Sequence, residues 1–125
     1  MRTATITIDG QEHLLCFSLR VTQACIERYG DVRKINDAIL AEDISTSMAE
    51  SLWLLAEMMD GGARYAALQG IQTAPALSAE QLRDLCDISD LSGIRGKIAE
   101  TITNGRAMTV EAQPGKNGGA AQSAG

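Results

Sequence analysis

The stretch from Ser47 to Leu68 is apolar on nearly every side when it is drawn as a helix. One stripe of side chains falls at spacings of four, three and four residues, and a second stripe lies beside it. The first stripe is Met48, Leu52, Leu55 and Met59, and the second is Ala49, Trp53 and Ala56. A helix of this kind must be covered on more than one side. We therefore expect that other helices wrap around it or that part of its surface binds a partner.

The N-terminal segment has the two-residue period of β-strands. Residues 3–9 alternate between apolar and polar side chains, and a second apolar run covers residues 13–17. The dipeptide Asp9-Gly10 lies between these runs, and Asp-Gly in that place is the strongest short-range signal for a hairpin. Because an isolated two-stranded hairpin is marginal in water, we expect this one to pack on the helices that follow.

Two short helices are expected between the hairpin and the long apolar helix. The first runs from Leu19 to Tyr29 and is closed by Gly30, a residue type favoured just past a helix end. The second follows Asp31, whose carboxylate can cap it, and continues to Ile39.

The long helix has a predicted start and a predicted weak point. Ser47-x-x-Glu50 has the form of a capping box, so we expect the helix to begin there. Each glycine of the pair Gly61-Gly62 weakens a helix by about 1 kcal/mol relative to alanine. A kink or a break is therefore expected at this pair.

Two more helices are expected after a loop rich in turn-forming residues. Ser78-x-x-Gln81 is a second capping box and opens the fourth helix. The last helix carries an apolar stripe from Leu91 onward and is expected to stop at Asn104-Gly105. The predicted fold class is therefore α+β, mainly α, with an N-terminal β-hairpin packed on a bundle of about five helices.

The chain divides into one domain and a tail. Residues 1–110 form the predicted hairpin-plus-helices domain. Residues 111–125 contain no aromatic and no branched aliphatic side chain, so they cannot bury enough apolar surface to offset the entropy lost on ordering. We expect this Gly/Ala-rich segment to be a disordered tail.

Charge and targeting signals limit the classes of partner. The chain has a formal net charge of −5, and its 11 Lys and Arg are scattered among 16 Asp and Glu. A nucleic-acid interface needs several cations in one patch, so we expect no nucleic-acid partner. The N-terminus lacks the apolar core of a signal peptide, and no apolar run is long enough to span a membrane. An intracellular protein without a membrane contact is expected.

The sequence offers little chemistry for catalysis or metal binding. Cys16, Cys25 and Cys86 are far apart with no C-x-x-C pair, and we interpret them as small buried hydrophobes rather than disulfides or zinc ligands. His13, the one histidine, is interpreted as a strand residue at an edge or with a satisfied hydrogen bond rather than as a catalyst. We expect no enzyme activity, no metal and no cofactor.

Large adaptable side chains in and beside the long helix are the candidates for partner binding. Trp53, Met58, Met59 and Tyr65 belong to this group, because methionine and large aromatic residues adapt to protein surfaces and anchor them. At helical spacing on a helix that is apolar on two sides, a place in the core is the more common role for any single one of them. Both interpretations stay open at this point.

Five short phrases follow one another along the chain: ITIDGQEHLLCFSLR, ERYGDV, GARYAALQG, LSAEQLRDLCD and ITNG. Together with the order of elements, they give the chain a resemblance, over about Ile6 to Gly105, to the small tail assembly chaperones of long-tailed bacteriophages and prophages. It implies an assembly factor in the cytoplasm of a bacterial host that binds the tape measure protein, helps to recruit tail tube subunits and is not found in the mature virion. It implies no catalytic residues and no cofactor.

Two other functions remain alternatives. One is a structural tail or head-completion protein that stays in the virion, and the other is a helical adaptor or regulator unrelated to phage. Self-association into a homo-oligomer is also left open.

Overall fold

The computed structural model describes residues 2–112, with side chains described for residues 2–106. The fold is α+β and mainly helical, and an N-terminal antiparallel hairpin packs on five helices, as predicted. The strands are β1 (Thr3–Ile8) and β2 (Gln11–Cys16), and the helices are α1 (Leu19–Tyr29), α2 (Ile35–Ile39), α3 (Ile44–Gln69), α4 (Ala79–Leu85) and α5 (Leu91–Ala112). Short 3-10 turns at Val32–Lys34 and Ile88–Asp90 lead into α2 and α5.

The hairpin turn is the one that Asp9-Gly10 predicts. Asp9 and Gly10 have φ angles of 51° and 77°, and two positive φ angles in succession are the mark of a type I′ turn. The register pairs Ile8 with Gln11 at the turn. A two-residue turn fixes this register, which sends alternate side chains of β1 into the core. Those side chains are Ala4, Ile6 and Ile8, whereas Thr5 and Thr7 are exposed.

Several predicted helix ends are confirmed. Gly30 terminates α1 in the left-handed conformation. The Asp31 carboxylate accepts a hydrogen bond from the backbone N–H of Arg33 and so caps the 3-10 turn before α2. At the start of α4, the Ser78 hydroxyl and the Gln81 side chain form the predicted capping box, with bonds of 3.1 and 2.9 Å. Each of these signals acts within three residues of the helix end.

The predicted start of α3 is wrong. The helix begins at Ile44, and its cap is Asp43, whose carboxylate accepts the backbone N–H of Thr46 at 3.0 Å. Ser47 lies in the first turn and is fully buried, where its hydroxyl donates to the carbonyl oxygen of Ile39 at 2.6 Å and contacts the guanidinium of Arg95. Ser47 therefore joins α3 to α2 and α5 instead of capping a helix.

The predicted stripes of α3 are correct only in part. Leu55 and Met59 are buried, but Met48 is 37% exposed and Ala49 is exposed. The buried face instead begins with two serines and continues through larger side chains to two glycines. Its members are Ser47, Ser51, Leu54, Leu55, Met58, Met59, Gly61, Gly62 and Ala66. Small residues at both ends of this face let neighbouring backbones approach the helix closely.

The pair Gly61-Gly62 does not break α3, which runs without interruption through both residues. A Cβ atom at Gly62 would lie 1.8 Å from the carbonyl oxygen of Leu14, and one at Gly61 would lie 2.8 Å from the carbonyl oxygen of Cys16. Both distances are far inside van der Waals contact. The two glycines are therefore the place where the helix lies against the backbone of β2.

The segment after α3 protects the same edge of the sheet. The backbone N–H of Leu14 donates to the Thr73 hydroxyl at 2.8 Å, and the backbone N–H of Ala74 donates to the carbonyl oxygen of Glu12 at 3.2 Å. An uncovered strand edge is a template for unwanted pairing, and native proteins cover such edges. The outer edge of β2 is closed by α3 and by this segment together.

The predicted end of the last helix is also wrong, since α5 continues through Asn104-Gly105 to Ala112. Gly105 is not in the left-handed conformation, and a Cβ atom there would lie 3.3 Å from the carbonyl oxygen of Phe17. Asn104 donates from its side-chain amide to the carbonyl oxygen of Thr3 at 2.8 Å. The dipeptide holds α5 on the hairpin, and most of the predicted tail, residues 113–125, lies outside the described residues.

The contact at Gly62 leads to a stability prediction. Gly62→Ala should lower the free energy of unfolding by about 3 kcal/mol or more, because a new methyl group would displace the β2 backbone from α3. Gly96→Ala in α5 is the matched control, since a Cβ atom there meets nothing within 4 Å. That change should stabilise the protein by about 1 kcal/mol. Urea unfolding of both variants measures the difference, and a loss below about 1 kcal/mol at Gly62 would show that the helix does not lie so close to the strand.

Candidate functional site

Met58 and Met59 lie in the core. They are 0% and 1% exposed, and they belong to the cluster in which α3 packs against the hairpin and the other helices. Neither side chain presents surface to a partner in this structure. Their flexible thioethers fill the space between elements, which is the second of the two roles considered for them.

Trp53 is half-buried and anchors α1 to α3. Its ring meets the ring of Tyr29 edge to face, with 5.8 Å between centroids, and the guanidinium of Arg28 lies 4.4 Å from its ring centre. Glu50 completes the cluster, because its carboxylate accepts hydrogen bonds from Arg28 at 2.7 and 3.0 Å and from the Tyr29 hydroxyl at 2.7 Å. These bonds lower the pKa of Glu50, with the Arg28 bond as the largest cause.

Tyr65 is the most distant of the predicted residues from this cluster. It is half-buried near the C-terminal end of α3, and the guanidinium of Arg2 lies 5.2 Å from its ring centre. Trp53 and Tyr65 do not converge on one surface with each other or with the two methionines. The four predicted residues therefore do not form a single site, although Trp53 and Tyr65 each keep some exposed surface.

An apolar groove opens instead between the first half of α3 and the start of α5. It encloses about 310 Å3, and we call it the α3–α5 groove. Its lining residues are Met48, Leu52, Arg83, Cys86, Asp87, Ile88, Leu91 and Ile94. Leu91 and Ile94 form its buried floor, while Met48 and Ile88 are 37% and 64% exposed. Large apolar side chains of different exposure are thus arranged as floor and walls.

Local sequence explains why Ile88 is exposed. The Asp87 carboxylate accepts the backbone N–H of Ser89 at 3.0 Å, and the Asp90 carboxylate accepts the backbone N–H of Asp87 at 2.9 Å. This capping box fixes the 3-10 turn in which Ile88 is 64% exposed. Its hydrogen bonds also lower the pKa of Asp87, chiefly through Ser89.

Ile88 and Met48 are the functional candidates that sequence reasoning missed. The sequence signal for Ile88 is that Asp87 and Asp90 flank it, since acidic capping residues indicate a solvent-facing turn. Met48 was assigned to the buried stripe, and only the packing of Ser47 and Ser51 shows that the buried face of α3 is rotated away from it.

Burial raises the pKa of each of the three cysteine thiols. All three are free thiols, with Cys16 and Cys25 buried and Cys86 half-buried. Burial raises the pKa of Cys25 to about 11, so this thiol stays protonated at neutral pH. Among residues 2–106 no group of three His, Cys, Asp or Glu side chains is placed to hold a metal ion.

No described helix is both long and apolar enough to cross a membrane. No protein-family model, no curated protein and no solved structure matches the chain. The α3–α5 groove therefore has to be interpreted from its own geometry.

His13 differs from its predicted role. It lies on β2, is 2% exposed, and neither ring nitrogen has a hydrogen bond of ordinary geometry. Burial lowers its pKa below the usual value of 6.5, and the nearby backbone of Pro75 and Ala74 opposes this only in part. The side chain is neutral at pH 7 and sits beneath the segment that covers the β2 edge.

The buried His13 leads to a pH prediction. Because its pKa is lower in the folded than in the unfolded chain, the unfolded state takes up a proton first, and the free energy of unfolding should fall as the pH drops below about 6.5. His13→Leu should remove this loss between pH 7 and pH 5, which urea unfolding at several pH values measures.

Glu50→Gln is the control for that series. The pKa of Glu50 in the folded chain is lowered from 4.5, so its contribution to the free energy of unfolding is present above pH 4.5 and is lost only below that pH. A wild-type protein with the same pH profile as His13→Leu above pH 5 would contradict the assignment.

Proposed function

We propose that this protein is a tail assembly chaperone of a long-tailed phage or prophage, which binds the tape measure protein and helps to recruit tail tube subunits. The resemblance of its sequence over about Ile6 to Gly105 suggests the class. The observation that carries the proposal is the α3–α5 groove, whose wall exposes Ile88 and Met48 to solvent. A protein that holds an assembly intermediate needs such a surface and no catalytic site.

The shape of the groove suits a helical partner. A helix offers apolar side chains at positions i, i+3 or i+4, and i+7 along one face, and a concave apolar surface between two helices accepts such a row. Ile44 lies one helical turn before Met48 on α3 and is also exposed, so the apolar face extends beyond the groove. A partner helix laid along α3 would cover both.

The charges at the rim suit reversible binding. Arg83 stands at the rim in an exposed pair with Glu80 at 3.4 Å, and Asp87 is exposed beside it. Exposed pairs of this kind contribute little free energy, so binding would depend on the apolar floor and walls. Affinity for the partner should then change little with salt.

Capture of the tape measure protein tests the proposal. The tagged chain, co-expressed with the tape measure and tail tube proteins of the same phage or prophage, should retain the tape measure protein on an affinity column. Ile88→Asp should abolish retention, because it places a charge on the wall of the groove. Leu68→Asp is the matched control, since Leu68 is 84% exposed near the far end of α3 and should retain the partner as the unaltered chain does.

Three results would contradict the proposal. The tape measure protein could fail to be retained, the Ile88→Asp variant could retain it fully, or the chain could be found in finished tails by mass spectrometry. The last result would favour the structural tail component.

A further inference from the structure

The two edges of the hairpin differ. The outer edge of β2 is closed by α3 and by the segment at Thr73 and Ala74. At the outer edge of β1, the side chain of Asn104 covers the carbonyl oxygen of Thr3. Beyond that residue α5 packs near β1, but no hydrogen bond among residues 2–106 reaches the outer edge of the strand.

The register shows which backbone groups of β1 point outward. On β2, the N–H of Leu14 and the carbonyl oxygen of Glu12 bond to the segment at Thr73 and Ala74, so they point away from β1. Thr5 and Thr7 are the β1 residues paired with Leu14 and Glu12. In an antiparallel pair of this kind, Thr5 and Thr7 also direct their N–H and C=O groups away from the partner strand. Among residues 2–106, whose side chains the structure describes, no group donates to or accepts from these backbone groups of Thr5 and Thr7. Four backbone groups therefore remain open, two on each residue.

A second cavity lies along this open edge. It encloses about 300 Å3, and we call it the β1-edge groove. Its lining residues are Ile6, Thr7, Ile8, Asp9, Leu85, Cys86, Ser89, Asp90, Gly93, Ile94 and Lys97. The strand edge thus forms one wall, and the end of α4 and the start of α5 form the other.

We propose that the β1 edge binds an extended peptide segment of a partner protein, which adds to the hairpin as a third strand. Unpaired N–H and C=O groups on alternate residues of a strand are matched by another extended backbone. Partner residues opposite Ile6 and Ile8 would direct their side chains into the β1-edge groove, because residues paired across a sheet share a face. Those opposite Thr5 and Thr7 would face water.

The charges of the groove define the partner further. Asp9 of the hairpin turn and Asp90 of the 3-10 turn before α5 both line the groove, and the one cation in its lining, Lys97, is already paired with Glu100 at 3.2 Å. The partner segment should therefore carry a lysine or arginine near the hairpin turn. Pairing with β1 also requires that its apolar and polar side chains alternate.

A second copy of this chain fits the edge less well. The apolar side chains of its β1 are Ala4, Ile6 and Ile8, and all three are buried in their own core. Pairing of two β1 edges would therefore bring no free apolar side chain to the β1-edge groove and would leave that groove empty. A segment that brings its own side chains satisfies both the backbone groups and the cavity.

Gly93 supplies a variant that closes the groove. It lies on the groove wall, and a Cβ atom there meets nothing within 4 Å, so the fold itself tolerates a side chain. Gly93→Leu should fill the space needed by the incoming segment. Gly96→Leu is the matched control, because Gly96 is on the same helix, has equal space and does not line the groove.

Selection of random peptides of about ten residues on the full chain, from a displayed library, supplies the probe. The selected peptides should alternate apolar and polar residues and carry a basic residue. Thr7→Pro removes one outward N–H and leaves the ladder to β2 intact, so it should weaken binding of a selected peptide about ten-fold or more, whereas Thr7→Ser should not. Gly93→Leu should abolish binding and Gly96→Leu should leave it unchanged.

Amide hydrogen exchange by NMR reads the same edge directly. The amides of Thr5 and Thr7 should exchange rapidly in the free chain and become protected when the selected peptide is added. Protection in the free chain, failure to select any peptide, or equal binding by Thr7→Pro and Thr7→Ser would each overturn the proposal. Self-association that Thr7→Pro abolishes would also overturn it, in favour of a second copy. None of these results depends on Ile88 or on the tape measure protein, so this proposal and the proposed function stand or fall separately.

Discussion

The close approach of α3 to β2 at Gly61 and Gly62 is the constraint on which the rest of the structure depends. A two-stranded hairpin has too little apolar area to be stable alone. Here the helix backbone lies directly against the carbonyl groups of Leu14 and Cys16, because neither glycine has a Cβ atom to hold it away. That contact brings the apolar face of the hairpin, including Leu15 and Ile6, into the same core as Leu54, Leu55 and Met58. One helix thereby supplies both the centre of the core and the cover for a strand edge.

Sequence reasoning succeeded where a signal and its partner are neighbours in the chain. Asp9-Gly10 makes the hairpin turn by its own backbone angles, and Ser78 and Gln81 cap α4 with groups three residues apart. It failed where the partner lies far along the chain. Gly61-Gly62 weakens an isolated helix, and nothing local indicates that β2 will occupy the space the glycines leave.

Ser47 and Asn104 follow the same rule. Ser47 has the form of a cap, but its hydroxyl bonds to Ile39 and contacts Arg95 on α5. Asn104 resembles a helix stop, but its amide bonds to Thr3. The sequence also predicted more apolar surface on α3 than the core can cover. Which of its apolar side chains stay exposed depends on the rotation of the helix about its axis, and the small residues of α3 fix that rotation through contacts with distant parts of the chain. On α3 the exposed surface includes Met48 and excludes Met58 and Met59.

The same constraint gives the protein two surfaces of different chemistry. Since α3 closes the β2 edge, the outer edge of β1 is the one whose backbone groups at Thr5 and Thr7 stay unpaired among residues 2–106. The β1-edge groove and the α3–α5 groove share Cys86 and Ile94 in their lining. One surface is apolar and suits a helix, and the other offers backbone groups and suits an extended strand. Under the two proposals above, a helical segment and an extended segment would bind at different surfaces of the chain.

The central claim is that the hairpin and α3 form one cooperative unit. Native-state amide hydrogen exchange at Leu15 of β2 and Leu55 of α3, measured at rising urea concentrations, tests it most directly. If α3 holds the hairpin as described, both amides should exchange with the same free energy of opening and the same dependence on urea, equal to those of global unfolding. Exchange at Leu15 with a lower free energy and little dependence on urea would show that the hairpin opens by itself, and would contradict the claim.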